Sequence, residues 1–188
     1  EVSAAHEFFH AVQYAYNVDA DSWWKEATAT WNEDEIYSDV NDYVKYLDRV
    51  LQAPEKSLDK TGYGGVIFAK FLSENYGGYR IMKDIWEMQG IAFDTSIKAI
   101  DAVIKEKLSG ENLGTVYKEY AASNFNPPQY YEDGHLWNRP YTQNVFHSYP
   151  AVLQNGELDH LASSYHLFIP GDPDKDYSLK ITVKCAPQ

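Results

Sequence analysis

Apolar residues crowd the first seventeen positions of the chain. Ala4, Ala5, Phe8, Phe9, Ala11, Val12, Ala15 and Tyr16 cover most of a helical circumference, with no Gly or Pro from Glu1 to Asn17, which predicts a buried helix. Asn17 to Ala20 read as a turn, and Asp21 or Ser22 caps a second helix carrying Trp24, Ala27, Ala29 and Trp31. The small residues predict a close approach to the first helix, with the two tryptophans walling the junction. Val40, Tyr43, Val44, Leu47, Val50 and Leu51 recur at helical spacing and predict a third, amphipathic helix stopped by Pro54. Gly62, Gly64 and Gly65 lead into an apolar helix that Gly77-Gly78 ends. Tyr79, Ile81, Met82, Ile85 and Trp86 mark a short helix. Asp94 or Thr95 caps the next, with Ile97, Ile100, Val103, Ile104 and Leu108 inward and Gly110 closing it. Val116, Tyr117, Tyr120, Ala121 and Phe125 mark the last.

The pattern changes at Asn126-Pro127-Pro128, the best domain boundary in the chain. Beyond it, short alternating runs at 145–152, 162–170 and 177–184 predict strands, with Asn155-Gly156 as a turn. The expected fold class is therefore α+β. Residues 1–126 form a helical subdomain, and residues 127–188 form a β-rich, sandwich-like segment that ends before it is complete.

The chemistry is concentrated at the start. His6-Glu7-Phe8-Phe9-His10 reads H-E-x-x-H, and residues four apart share one face of a helix. His6 and His10 therefore aim two imidazoles at a common point, a geometry that suits tetrahedral zinc. Glu7 is angled to the side, where it serves a general base better than a ligand. Two histidines and a glutamate on an apolar helix also need partners, since burying them unpaired is costly. A third ligand is expected from the second helix, where Glu26 sits about one turn in. Glu33, two turns further, shares its face and is positioned to hold His6 or His10 by the outer ring nitrogen.

H-E-x-x-H followed by a helix with W-x-x-E-x-x-A (Trp23, Glu26, Ala29) resembles the gluzincin zinc metallopeptidases, the group containing thermolysin and aminopeptidase N. Within that group, residues 3–126 most resemble uncharacterised secreted bacterial metalloproteases. The resemblance implies a zincin catalytic subdomain with Zn²⁺ on His6, His10 and Glu26, and with Glu7 as general base. It also implies an oxyanion-donating role for Tyr63, which stands just ahead of a glycine and an apolar helix, as in the aminopeptidase branch. In the thermolysin branch a downstream histidine adds a second donor, which makes His135 a weaker candidate. Members carry a β-rich lobe ahead of the metal helix, so this chain reads as a fragment lacking that N-terminal lobe. The substrate class implied is a peptide or protein, in an extracellular or cell-envelope setting. The chain departs from the aminopeptidase pattern in two places. Only fifteen residues separate His10 from Glu26, and Lys25-Glu26-Ala27 stands where that group has Asn-Glu-Gly.

Composition narrows the picture from outside. The 188 residues, with a formal net charge of -12, suffice for one good-sized domain or a domain plus a smaller one. The acidic balance argues against a nucleic-acid partner, and no stretch approaches the length of a membrane span. A single cysteine, Cys185, excludes an internal disulfide, and sixteen tyrosines fit a secreted or envelope protein. Asp172, Asp174 and Asp176 alternate as carboxylates do in calcium loops. The stretch lacks the glycine and distal glutamate of an EF-hand and reads as a hairpin turn. His147, His160 and His166 read as surface or packing residues. The rival to a peptidase is a non-catalytic, zinc-stabilised scaffold or binding module with a degenerate peptidase fold. Glu7 argues against it, because a structural site has no use for a base and closes its fourth position.

Overall fold

A computed structural model describes residues 1–92, 95–153, 158–172, 175–176 and 178–182. The run free of Gly and Pro at the start is helix α1 (Val2–Tyr16), followed by α2 (Ser22–Ile36). A 3₁₀ turn (Asp42–Tyr46) leads into the one-turn helix α3 (Asp48–Leu51), and further 3₁₀ turns lie at Leu58–Lys60 and Gly62–Gly65. Helices α4 (Val66–Tyr76), α5 (Tyr79–Ala92), α6 (Ser96–Lys107) and α7 (Leu113–Asn124) complete the helical body. A short α8 (Pro127–Tyr130), a 3₁₀ turn (Gly134–Leu136) and two strands, β1 (Thr142–Phe146) and β2 (Tyr165–Phe168), follow. The chain is mostly helical with a small two-stranded sheet, an α+β fold.

Local chemistry sets several boundaries. Gly77 and Gly78 take positive φ after α4, and the Gly78 N–H donates to the Ser73 carbonyl at 2.7 Å, the six-to-one bond of a Schellman motif. Thr95 caps α6 by accepting from the Lys98 N–H; the other expected cap, Asp94, lies outside the described residues. Asn112 and Thr115 form a reciprocal capping box at the start of α7. Trp24, Ile67, Phe68, Leu72, Ile85, Ile100, Val103, Val116 and Tyr120 are fully buried between these helices.

Four expectations are corrected. The first helix is not buried all round. Phe8 is 70% exposed and Val12 and Tyr14 are exposed, whereas His6 and Gln13 are buried. The polar stripe His6, His10, Gln13 turns inward because α2 offers it hydrogen-bond partners, and among the described residues apolar cover reaches only the flank that carries Phe9 and Tyr16. The third amphipathic helix is divided into a 3₁₀ turn and one α turn. Residues three apart align in a 3₁₀ turn, and here Tyr43 bonds Asp133 and Trp137 while Tyr46 stacks on Tyr63.

The close approach of α2 to α1 is present, and Ala27 of α2 also meets the Gly62–Gly65 turn. A Cβ placed on Gly65 would lie 3.0 Å from the Ala27 Cβ and 3.3 Å from the Trp23 ring, so Ala27 admits the Gly62–Gly65 turn. Lastly, the two prolines open α8 rather than a linker, and Tyr131 and Trp137 beyond them join the helical core. The strands pair in parallel, with Asn144 beside His166 and Phe146 beside Phe168, so they form no hairpin and no sandwich among the described residues. The expected turn Asn155-Gly156 and Asp174 lie outside the described residues; of the third expected strand, residues 178–182 are described and form no strand. Segment 159–165 is tied to the helical part through Ser163 N–H to Pro54 O (2.7 Å), Leu58 N–H to Leu161 O (3.0 Å) and Tyr165 hydroxyl to Ala121 O (2.7 Å).

A second polar centre lies inside the core. Lys70 of α4 is buried, with its Nζ 2.5 Å from Asp34 Oδ2, 3.3 Å from Glu74 Oε1 and 3.7 Å from Asp133 Oδ2. Its ammonium also lies over the Tyr43 ring. This cluster pins the segment after α8 to α2 and α4.

Candidate metal centre

α1 and α2 pack side by side and bring four of the expected residues together. His6 Nε2 lies 3.3 Å from Glu26 Oε2, and His10 Nε2 lies 3.8 Å from the same oxygen. One ligand atom from each of His6, His10 and Glu26 falls within a sphere of mutual distances under 4.8 Å. Two ligands about 2.05 Å from a tetrahedral zinc are separated by about 3.3 Å. The His6–Glu26 edge matches that figure, the His10–Glu26 edge exceeds it modestly, and the His6–His10 edge lies within 4.8 Å. The two imidazole planes are nearly perpendicular (86°) with centroids 4.7 Å apart.

The outer nitrogens are held as well. His6 Nδ1 lies 2.5 Å from Glu33 Oε1, so Glu33 takes the supporting place expected of it. That hydrogen bond raises the His6 pKa above its ordinary value; burial opposes the rise, and the charges of Glu33 and Glu26 add to it. His10 Nδ1 lies 2.7 Å from Gln13 Oε1. A ring that donates from Nδ1 carries its lone pair on Nε2, the atom that faces Glu26 in both histidines. The donor set fits a divalent metal: two imidazoles with outward partners, one carboxylate and, among the described residues, no lysine or arginine in the ion pairs of these groups.

Tyr63 stands against the same cluster. Its ring stacks on His6 at 5.8 Å and on Tyr46 at 4.8 Å, and its hydroxyl lies within the influence of the Glu26 carboxylate. The interaction with Glu26 is the main cause of a raised Tyr63 pKa, followed by burial and by the negative charges of Glu26 and Glu7. Glu7 is exposed on α1, one position round from His6, and its charge is felt at the Tyr63 hydroxyl. The Ala27–Gly65 contact is what lets the turn carrying Tyr63 come this close to α2.

The remaining candidates lie elsewhere. His135 is exposed on the 3₁₀ turn Gly134–Leu136 and has no part in the cluster. His147 and His160 are exposed, and His166 bonds Asn144 and Ser164 within the sheet. Asp172 pairs with Lys175 at 3.0 Å. Sequence reasoning gave no role to Gln13 or Tyr46. Gln13 carried a usable signal, since it lies three residues after His10 and shares its face; Tyr46 carried none, because its approach to Tyr63 depends on the 3₁₀ turn. Comparison with protein-family models, with curated proteins and with solved structures finds no match to this chain.

Proposed function

We propose that this chain carries the catalytic helices of a zinc-dependent peptidase, acting on peptides or proteins outside the cell. The observation that supports it most is the convergence of His6 Nε2, His10 Nε2 and Glu26 Oε2, with both Nδ1 atoms held by acceptor oxygens. His6, His10 and Glu26 would hold Zn²⁺, which when bound supplies Lewis acidity and lowers the pKa of water toward neutrality. Glu7 is the general base, accepting a proton at its carboxylate and returning it to the leaving amine. Its exposure at the edge of the cluster leaves it reachable by water and substrate. Tyr63 turns its hydroxyl from Glu26 toward the developing oxyanion. Glu33 keeps His6 oriented and raises its basicity as a ligand.

Zinc per chain, measured by elemental analysis on wild type and Glu26→Ala, tests the site. One equivalent in wild type and a loss in the variant is the expected result. Peptide hydrolysis then tests the chemistry. Glu7→Gln is expected to lower turnover by about 10²- to 10⁴-fold with zinc retained. Zinc bound without hydrolysis would favour the scaffold over the peptidase. Wild type that takes up no zinc would overturn the metal reading.

A further inference from the structure

We infer that Gln13 is a positioning residue for the metal centre: it fixes His10 in the ring tautomer whose lone pair faces Glu26. This deepens the metal reading above and rests on it. Gln13 is fully buried, in the last turn of α1, where the neighbouring positions are mostly exposed. Every polar atom of its amide has a partner. Its Nε2 donates to the Lys25 carbonyl (2.9 Å) and to Thr28 Oγ1 (2.9 Å), and its Oε1 meets His10 Nδ1 at 2.7 Å.

The orientation of this amide is forced from α2. The Thr28 hydroxyl spends its single proton on the Trp24 carbonyl at 2.8 Å, so toward Gln13 it can only accept. The Lys25 carbonyl can only accept too. Both therefore require the NH₂ end of Gln13, which leaves Oε1 for His10. Facing an acceptor, His10 Nδ1 donates, and its Nε2 keeps the lone pair on the side of Glu26. The tautomer of His10 is thus dictated by a backbone carbonyl of α2 through a threonine and a glutamine. The same contacts make this an interhelical clamp, because Gln13 links α1 to α2 beside Glu26. His6 is held differently, by the carboxylate of Glu33. The neutral amide at His10 orients its ring without adding a further negative charge beside Glu26 and Glu33.

The test uses the wild-type chain, Gln13→Met and Gln13→Glu. Met matches the length of Gln and offers His10 no strong acceptor, while Glu restores an acceptor oxygen. Two readouts are taken: Zn²⁺ affinity by competition with a chromophoric chelator, and side-chain ¹⁵N–¹H correlations of the histidines in metal-free protein. Wild type is expected to show His10 protonated at Nδ1. Gln13→Met is expected to lose that preference and to bind zinc about 10- to 100-fold more weakly, with Gln13→Glu recovering most of the loss. A purely structural role would not be rescued by Glu, which places an oxygen against the Lys25 carbonyl. Gln13→Met binding zinc as tightly as wild type, or wild-type His10 protonated at Nε2, overturns the assignment while leaving the metal site standing. Wild type that binds no zinc overturns both readings. Should Gln13→Met fail to fold, the wild-type tautomer and the Gln13→Glu affinity decide the matter.

Discussion

Glu33 and Asp34 are neighbours on α2 and serve two different polar centres. Glu33 turns to His6, and Asp34 turns to Lys70. The lysine centre carries its own cation, sealed in the core among Asp34, Glu74 and Asp133 and capped by the Tyr43 ring. The histidine centre gathers Glu26 and Glu33 around two imidazoles and, among the described residues, has no lysine or arginine paired with it. It sits at the half-open edge of the fold, beside the exposed Glu7. One helix therefore contributes to an ion cluster gathered on a buried lysine and to a second cluster in which, among the described residues, no lysine or arginine is paired. The first ties chain segments together, and the second presents a donor set that fits a metal ion.

Removing the internal cation gives the largest expected effect. Lys70→Met leaves Asp34 and Asp133 in the core without their partner and is expected to cost about 3–5 kcal/mol in urea unfolding. Provided the variant folds, its stabilisation by zinc should equal that of wild type, because the two centres have no residue in common. A Lys70→Met chain that folds but no longer responds to zinc would show that the centres are coupled.

The external cation supplies the converse test. Zinc at a hundred times its dissociation constant is expected to stabilise wild type by about 2.7 kcal/mol. Glu26→Ala should abolish that increment while changing metal-free stability little, since Glu26 is half-exposed. An undiminished increment in Glu26→Ala would remove Glu26 from the ligand set. A smaller loss is expected where the turn of Tyr63 meets α2. In Gly65→Ala the new Cβ collides with the Ala27 Cβ, an atom fixed to the helix backbone, at a cost of about 1–3 kcal/mol. The stacking of Tyr63 on His6 should loosen with it. Tyr fluorescence and peptide turnover in zinc-loaded protein would both register that movement, and unchanged values would detach the turn from the site.

The two centres were unequally legible in the sequence. The histidine centre could be read because its geometry is mostly helical arithmetic: His6, His10 and Gln13 share one face of α1, and Glu26 and Glu33 one face of α2. The lysine centre could not, because Lys70, Asp34 and Asp133 come together only through tertiary packing. A lysine in the apolar run 66–72 looks like an exposed position until Asp34 is seen beside it. Helix starts and stops with local causes were also readable, as at Thr95, Asn112 and Gly77-Gly78. The apolar face of α1 misled because periodicity reports amphipathicity and does not say which face is covered. Here hydrogen-bond demand turned the polar stripe inward. Parallel pairing of β1 with β2 was hidden as well, since alternation marks a strand without naming its partner or direction.

The finest distinction between the centres lies in pH. Without metal, the His6 pKa is raised chiefly by the hydrogen bond to Glu33, with the Glu33 and Glu26 charges adding to the rise and burial opposing it. A raised histidine pKa means that the folded chain holds this proton more tightly than the unfolded one. The resulting stabilisation is fully present below the unfolded value, about 6.5, and is lost as pH rises through the elevated folded value. Zinc reverses the preference, because it needs the Nε2 lone pair that this proton occupies. Metal-free wild type should therefore lose stability as pH rises above about 6.5, while zinc uptake strengthens across the same window. Glu33→Gln keeps an acceptor for Nδ1 and removes the negative charge, so the His6 pKa falls toward its ordinary value. Both the stability loss and the rise in zinc affinity should then move to lower pH, with weaker zinc binding at the alkaline plateau. Urea unfolding and chelator competition at closely spaced pH values measure the two curves. Curves that fail to move together in Glu33→Gln would separate the proton on His6 from the metal site.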